Sequence, residues 1–160
     1  MIEKEIEANI IAAIEALNLT GLAIRGAWQT AADGEVKNTE DSSPAALSVA
    51  VSPRSFEKYN HPEISLEIAI SLDIRTDLCP SGTALETYCD PVASLLQSWN
   101  LGICEPAEVT GFAPRFIQFV GGSGPEFDRE GAVWSVVFHL TFRGTVTQPQ
   151  SSTQNTQEES

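Results

Sequence analysis

The sequence predicts an α+β fold: a single antiparallel or mixed β-sheet of about five strands with two helices packed on one face, in the order α-β-β-β-α-β-β. Two segments alternate apolar and polar residues over a full strand length, Ile64–Arg75 and Trp134–Arg143. Two others, Ile2–Leu17 and Leu85–Trp99, repeat apolar residues at steps of three and four, as amphipathic helices do. Helices with one apolar stripe each can cover the apolar face that such strands present.

The first helix carries its apolar residues on one stripe, formed by Ile2, Ile6, Ile10, Ala13, Ile14 and Leu17. Its charged residues Glu3, Lys4, Glu7 and Glu15 fall outside that stripe, and we expect them to face water. The acids of the first turn also suit the positive end of the helix dipole. The segment Asn18–Gly21 ends the helix, with Gly21 available for a left-handed cap.

Two short strands follow, over Leu22–Trp28 and Ala46–Val51. The polar stretch Thr30–Pro44 between them contains the turn signal Asp33-Gly34 and predicts an exposed loop. Pro53 ends the second strand, and a mixed loop, Ser52–Pro62, leads to the long alternating strand. Twelve residues of period two there predict an antiparallel strand with one face in water.

The second helix follows the turn Cys79–Gly82, where Ser81 or Thr83 can cap it. Pro91 lies inside its apolar stripe and lacks an amide hydrogen. We therefore expect a kink or a restart, with Asp90 as the new cap.

The last third predicts a hairpin. Its first strand is Val109–Val120, its connection is the flexible glycine-rich loop Gly121–Gly131, and its second strand begins near Trp134. From Thr147 the chain is polar and is expected to be disordered. The predicted organisation is one domain over residues 1–146 and a flexible tail over 147–160.

Composition and charge narrow the classes of function. The 42% of hydrophobic residues suffices for a core, and no apolar run approaches a membrane span. Acids in the first turn, where a secretory signal would be basic, predict a protein kept in the cytoplasm or assembled there into something larger. The formal charge of −13, without a basic patch, argues against tight nucleic-acid binding.

Candidate chemical sites are weak. The two histidines, His61 and His139, do not combine with Cys79, Cys89 or Cys104 at metal-ligand spacing, and all three cysteines are expected to be free thiols. The glycine-rich loop lacks the lysine and the following helix of a phosphate-binding loop. We therefore predict no catalytic residue, no metal and no cofactor.

Binding residues are better candidates. Two loops combine exposed aromatic side chains with charge, the features that stabilise protein interfaces. The predicted interface residues are Arg54, Phe56, Lys58, Tyr59, Phe127 and Arg129. An alternative is that Phe56 and Phe127 fold back onto the edge of the core.

The order of these elements resembles the tail terminator proteins of long-tailed, lambda-like bacteriophages. The resemblance lies in the long alternating strand ISLEIAISLDIR, the proline-containing helix LETYCDPVASLL and the closing segment PEFDREGAVWSVVFHLTF. It covers about residues 1–146. The polar tail after Thr147 is longer than that pattern requires.

The resemblance implies a structural virion protein of the tail or neck, without enzymatic activity. It would form a ring, a hexamer in that family, that caps the tail tube, stops its polymerisation and offers a surface to the head. Its expected partners are further copies of itself, the tail tube protein and the head-tail connector protein, with DNA passing through the lumen without specific binding and no membrane.

Two alternatives stay open. The chain could be another neck or tail subunit, such as a connector or a tail tube protein. The Gly121–Gly131 connection looks short for the long hairpin of a tube subunit. A cytoplasmic small-molecule-binding protein or enzyme would instead present a concave apolar pocket with a few convergent polar groups.

Overall fold

The computed structural model describes residues 2–28, 43–53, 63–78, 83–99 and 112–146. It contains helix α1 (Ile2–Glu15) and strands β1 (Leu22–Gly26), β2 (Ala45–Val51) and β3 (Glu63–Arg75). A short 3₁₀ turn (Thr76–Leu78) follows β3, and a π-helical turn (Leu85–Cys89) runs directly into helix α2 (Asp90–Ser98). Strands β4 (Phe112–Asp128) and β5 (Val133–Val146) complete the fold. The predicted α+β class and element order are confirmed.

The five strands form one mixed sheet in the order β1-β2-β3-β5-β4. β1 and β2 are parallel, and the other three pairings are antiparallel. The ladder between β3 and β5 is continuous from Glu63 opposite Thr145 to Arg75 opposite Val133. The two most regular alternating segments of the sequence are therefore neighbours at the centre of the sheet.

The core lies on one face of this sheet because the alternating side chains stay in phase across the strands. Leu72 of β3, for example, lies between Leu47 of β2 and Val136 of β5 in one row. The apolar side chains of β3 on this face are at most 5% exposed. Helix α1, the π-helical turn, helix α2 and the residue that caps α2 add buried side chains to the same cluster: Ile6, Ile10, Ile14, Tyr88, Val92, Leu96 and Trp99.

Two acids of α1 depart from the prediction. Lys4 and Glu15 are exposed as expected, but Glu3 and Glu7 are each only 2% exposed. Both oxygens of the Glu7 carboxylate accept the backbone N–H of Trp28, at 3.1 and 3.0 Å. The carboxylate is therefore satisfied inside the protein rather than by water. The expectation that Glu3 and Glu7 face water is wrong.

The Glu7 carboxylate has room in the interior because the residue that it packs against, Gly26, has no side chain. A Cβ on Gly26 would lie 2.5 Å from the Glu7 Cδ and 2.9 Å from the Ile11 methyl carbon. Trp28 itself is held from the other side, since its indole Nε1 donates to the Val51 carbonyl at 3.0 Å. Trp28 follows β1, which ends at Gly26. Its two hydrogen bonds, to Glu7 of α1 and to Val51 of β2, join α1 to the end of β2.

The second helix follows the prediction at Pro91 only in part. The chain is continuously helical from Ala84, with αR dihedrals at Ala84, Cys89 and Asp90. It changes from π-helical to α-helical hydrogen bonding at Asp90, so that Pro91 lies in the first turn of α2, where no N–H is needed. The expected restart is present, but its N-cap residue is Cys89 rather than Asp90 and makes no side-chain cap hydrogen bond. At the first start, the Thr83 carbonyl accepts the backbone N–H of Thr87 at 2.8 Å.

The glycine-rich segment also departs from the prediction. It is strand, not a flexible connection: β4 continues to Asp128, and the turn contains only residues 129–132. Three register shifts in the β4–β5 ladder accommodate the irregular sequence. A Cβ on Gly124 would lie 2.5 Å from the Ser135 carbonyl oxygen, so glycine permits this close approach of the two strands.

No helix among the described residues has the length and apolar character needed to cross a bilayer. The tail from Thr147, the turn Cys79–Gly82 and most of the two predicted loops before β2 and β3 lie outside the described residues.

Candidate docking surface

Side chains that could bind a metal ion or take part in catalysis do not cluster in the described part of the chain. Over these residues no three His, Cys, Asp or Glu side chains are grouped so that they could hold a metal ion. His139 is exposed on the polar face of β5, opposite Ala69, as predicted for a residue of the sheet surface. Burial, with a smaller effect of Asp90, raises the pKa of the half-buried Cys89 thiol, which disfavours the reactive thiolate.

One open depression of 390 Å³ lies where α1 ends beside β1. Its lining combines apolar and polar residues: Ile14, Glu15, Asn18, Leu19, Thr20, Leu22 and Ile24. Asn18 adopts a left-handed conformation here, with φ 55°, and so turns the chain away from the helix axis. The depression is open to solvent and lacks the enclosing apolar walls typical of small-molecule sites.

Two exposed large apolar side chains lie at the end of the sheet where β3 ends and the β4–β5 hairpin turns. We define the hairpin end as residues 75–78 and 126–134. Phe127 of β4 is opposite Trp134 of β5, and their rings lie 5.0 Å apart with a 47° tilt. This distance lies in the range of favourable aromatic pairs. Phe127 nevertheless remains 43% exposed, and Leu78 at the same end is 42% exposed.

Hydrogen bonds hold the hairpin end in place. The backbone N–H of Thr76 donates to the Ala132 carbonyl at 2.8 Å, and the Thr76 hydroxyl donates to the same oxygen at 3.1 Å. Within the turn, the Asp128 carboxylate accepts the backbone N–H of Glu130 at 3.2 Å. The exposed aromatic pair is therefore presented on a framework tied to the central strand β3.

The hairpin end is acidic. It contains the four carboxylates of Asp77, Glu126, Asp128 and Glu130 and the two guanidinium groups of Arg75 and Arg129, a net charge of −2. Arg75 forms an ion pair with Asp77 at 3.1 Å. Glu126, Asp128 and Glu130 are exposed at neighbouring positions of the chain. The hairpin end therefore combines an exposed aromatic ring, its centre, with carboxylates at the neighbouring chain positions, its negative rim.

A second open surface is the face of the sheet opposite the two helices. Its middle is small and uncharged, with Ser48, Ser71 and Val137 in one row. Hydrogen bonds cross its strands, such as that from the Ser135 hydroxyl to Asp73 at 2.8 Å. Among the described residues, no helix covers this face, so it is a second candidate contact area beside the hairpin end.

The structure places two of the predicted interface residues, Phe127 and Arg129, together at the hairpin end. Arg54, Phe56, Lys58 and Tyr59 lie outside the described residues. Both alternatives predicted for Phe127 hold in part. It packs on Trp134 at the edge of the core, and it still exposes much of its ring. The sequence reasoning missed Leu78 as an exposed residue and did not pair Phe127 with Trp134, which is partly buried against the core. A turn placed at 129–132 would have paired Trp134 with Phe127.

No protein-family model matches the chain, and no curated protein sequence matches it significantly.

Proposed function

We propose that this protein is a structural virion subunit, a tail terminator that forms a ring on the end of a phage tail tube, with six subunits as the resemblance implies. Its action is binding: it stops polymerisation of the tube and offers a surface for head-tail joining. The proposal rests on the order of elements read from the sequence.

The observation that supports it best is the hairpin end. An exposed aromatic ring, that of Phe127, on a framework anchored to β3 is a feature of contact surfaces rather than of a catalytic cleft. The small, uncharged residues in the middle of the sheet face opposite the helices supply a second area suited to contact with another subunit. A closed ring needs two different patches on each subunit, and these surfaces offer them.

The charge of the chain fits the same proposal. A ring through which DNA passes needs walls that do not hold phosphate, and a formal charge of −13 provides acids for such walls. A neutral or basic lumen in the assembled ring would contradict this part of the proposal.

One observation favours a related position in the tail. The β4–β5 hairpin has strands of 17 and 14 residues, so the objection that the Gly121–Gly131 segment is too short for the long hairpin of a tail tube subunit no longer holds. A tube subunit would polymerise into long tubes, whereas a terminator forms a closed ring of fixed mass.

Light scattering over a range of protein concentrations, alone and with purified tail tubes, distinguishes these readings. A discrete ring mass, or a monomer that forms a ring only on tube ends, supports a terminator. Open-ended growth with concentration supports a tube subunit. A monomer indifferent to tubes refutes both, and small-molecule screening at the depression beside Ile14 would then follow.

A further inference from the structure

Three large apolar side chains stand out into solvent in the part of the chain that the structure describes, and two of them, Leu78 and Phe127, are at the hairpin end. The third, Val120, is 59% exposed and lies further along β4. β4 is the outer strand among the described ones, so Phe127 has no neighbouring strand on its outer side. The hairpin end can therefore accept an apolar group of a partner against the Phe127 ring.

The charge around Phe127 restricts what that partner is. Two hairpin ends brought together would place two sets of carboxylates against each other, which like-charge repulsion opposes. Nucleic acid is disfavoured in the same way, because its phosphates would meet Glu126, Asp128 and Glu130. A partner with positive charge beside an apolar group complements both the rim and the centre.

We infer that the hairpin end binds a basic segment of a different protein, in which lysine or arginine side chains flank an apolar residue that packs on Phe127. The surface is ready for this contact because the Thr76–Ala132 and Asp128–Glu130 hydrogen bonds already fix its backbone. Binding therefore costs little ordering of the hairpin itself. The inference relies on the proposed function only in treating this end as an assembly surface.

The test uses the full chain and a synthetic peptide of alternating lysine and leucine, with affinity measured by titration calorimetry. Phe127→Ala should weaken binding about 30-fold, since truncation removes the exposed part of a ring that offers roughly 200 Å² in total. Val120→Ala, which truncates a still more exposed apolar side chain on the same strand, should leave the affinity unchanged. Circular dichroism establishes that both variants are folded.

Charge is tested with a matched pair of double variants. Glu126→Gln with Glu130→Gln should weaken peptide binding about 3- to 10-fold at low salt, and the difference should shrink as salt screens the rim. Both changes keep Asp128, which holds the turn. Glu63→Gln with Glu67→Gln removes the same charge from β3, away from the hairpin end, and should have little effect.

Several outcomes would overturn the inference: no binding of the lysine peptide, equal binding of a glutamate-leucine peptide or of duplex DNA, or equal weakening by the control variants. Self-association that Phe127→Ala abolishes would assign the surface to a second copy instead. Peptide binding is measured on the isolated chain and ring formation by light scattering. Either result can be positive while the other is negative, so failure of this inference is distinguishable from failure of the proposed function.

Discussion

The buried carboxylate of Glu7 is the most informative single group to perturb. Both of its oxygens accept the backbone N–H of Trp28, and because the donor is shared these two contacts count as one charge-assisted hydrogen bond. Such bonds contribute about 1.5–3 kcal/mol. Glu7→Ala also leaves the N–H without this acceptor and opens space above Gly26. We therefore expect the free energy of unfolding to fall by about 3 kcal/mol.

Glu7→Gln is the conservative comparison. It keeps the size and one acceptor oxygen, and it removes the desolvation cost of a buried charge, which offsets part of the loss. The expected loss is about 1 kcal/mol. Urea unfolding followed by circular dichroism measures both variants, and a loss of 3 kcal/mol moves the midpoint by about 1.5 M.

Glu15→Ala is the matched control, because Glu15 is an exposed glutamate of the same helix. Surface substitutions of this kind change stability by less than about 0.5 kcal/mol. If Glu7→Ala and Glu15→Ala lowered the stability equally, the buried carboxylate would not be holding Trp28, and the reasoning would be refuted.

Three further predictions concern stability. Gly26→Ala should cost about 1–3 kcal/mol because its Cβ would overlap the Glu7 carboxylate, and combining it with Glu7→Ala should cost less than the sum of the two. Additive losses would contradict that overlap. Tyr88→Phe should cost about 1 kcal/mol in urea unfolding, since the Tyr88 hydroxyl donates to the Thr20 carbonyl at 2.7 Å; an unchanged midpoint would show that this bond contributes nothing net. Burial raises the pKa of the Cys89 thiol above 9.0, so the folded protein keeps this proton at a pH where the unfolded chain loses it. Relative to Cys89→Ser, the wild type should therefore lose stability as pH rises above 9.0, and parallel pH profiles would refute this.

The regular part of the fold follows from local patterns. The alternation in β3 and β5 and the stripe from Ile6 to Ile14 each lie within one segment, so they predict element type and buried face directly. The parallel pairing of β1 with β2 is a choice between distant segments. No local pattern marks it, and the sequence left the sheet as antiparallel or mixed.

The failures have a common cause, which is contact between residues distant in the chain. Glu7 is buried because Trp28, far along the sequence, offers an N–H and Gly26 offers room. The glycines of β4 predict a loop from the sequence alone. They form a strand because their backbone pairs with that of β5, which no local pattern indicates. At the candidate site, Phe127 and Arg129 were identifiable as exposed residue types, but the Trp134 partner depends on the position of the turn.

The position of β5 has a consequence for how the chain folds while the ribosome synthesises it. It is the last strand in the described chain, yet it lies inside the sheet, between β3 and β4. Until Val133–Val146 emerges, the backbone edge of β3 is open beside its row of buried isoleucines, and β4 has no described strand with which to pair. The edge of β3 therefore stays unpaired from about the middle of the synthesis, whereas β4 appears only shortly before β5. Closing the central ladder between distant segments is intrinsically slow, and open strand edges favour aggregation during that interval. Completion of β5 is the step that ends this exposure.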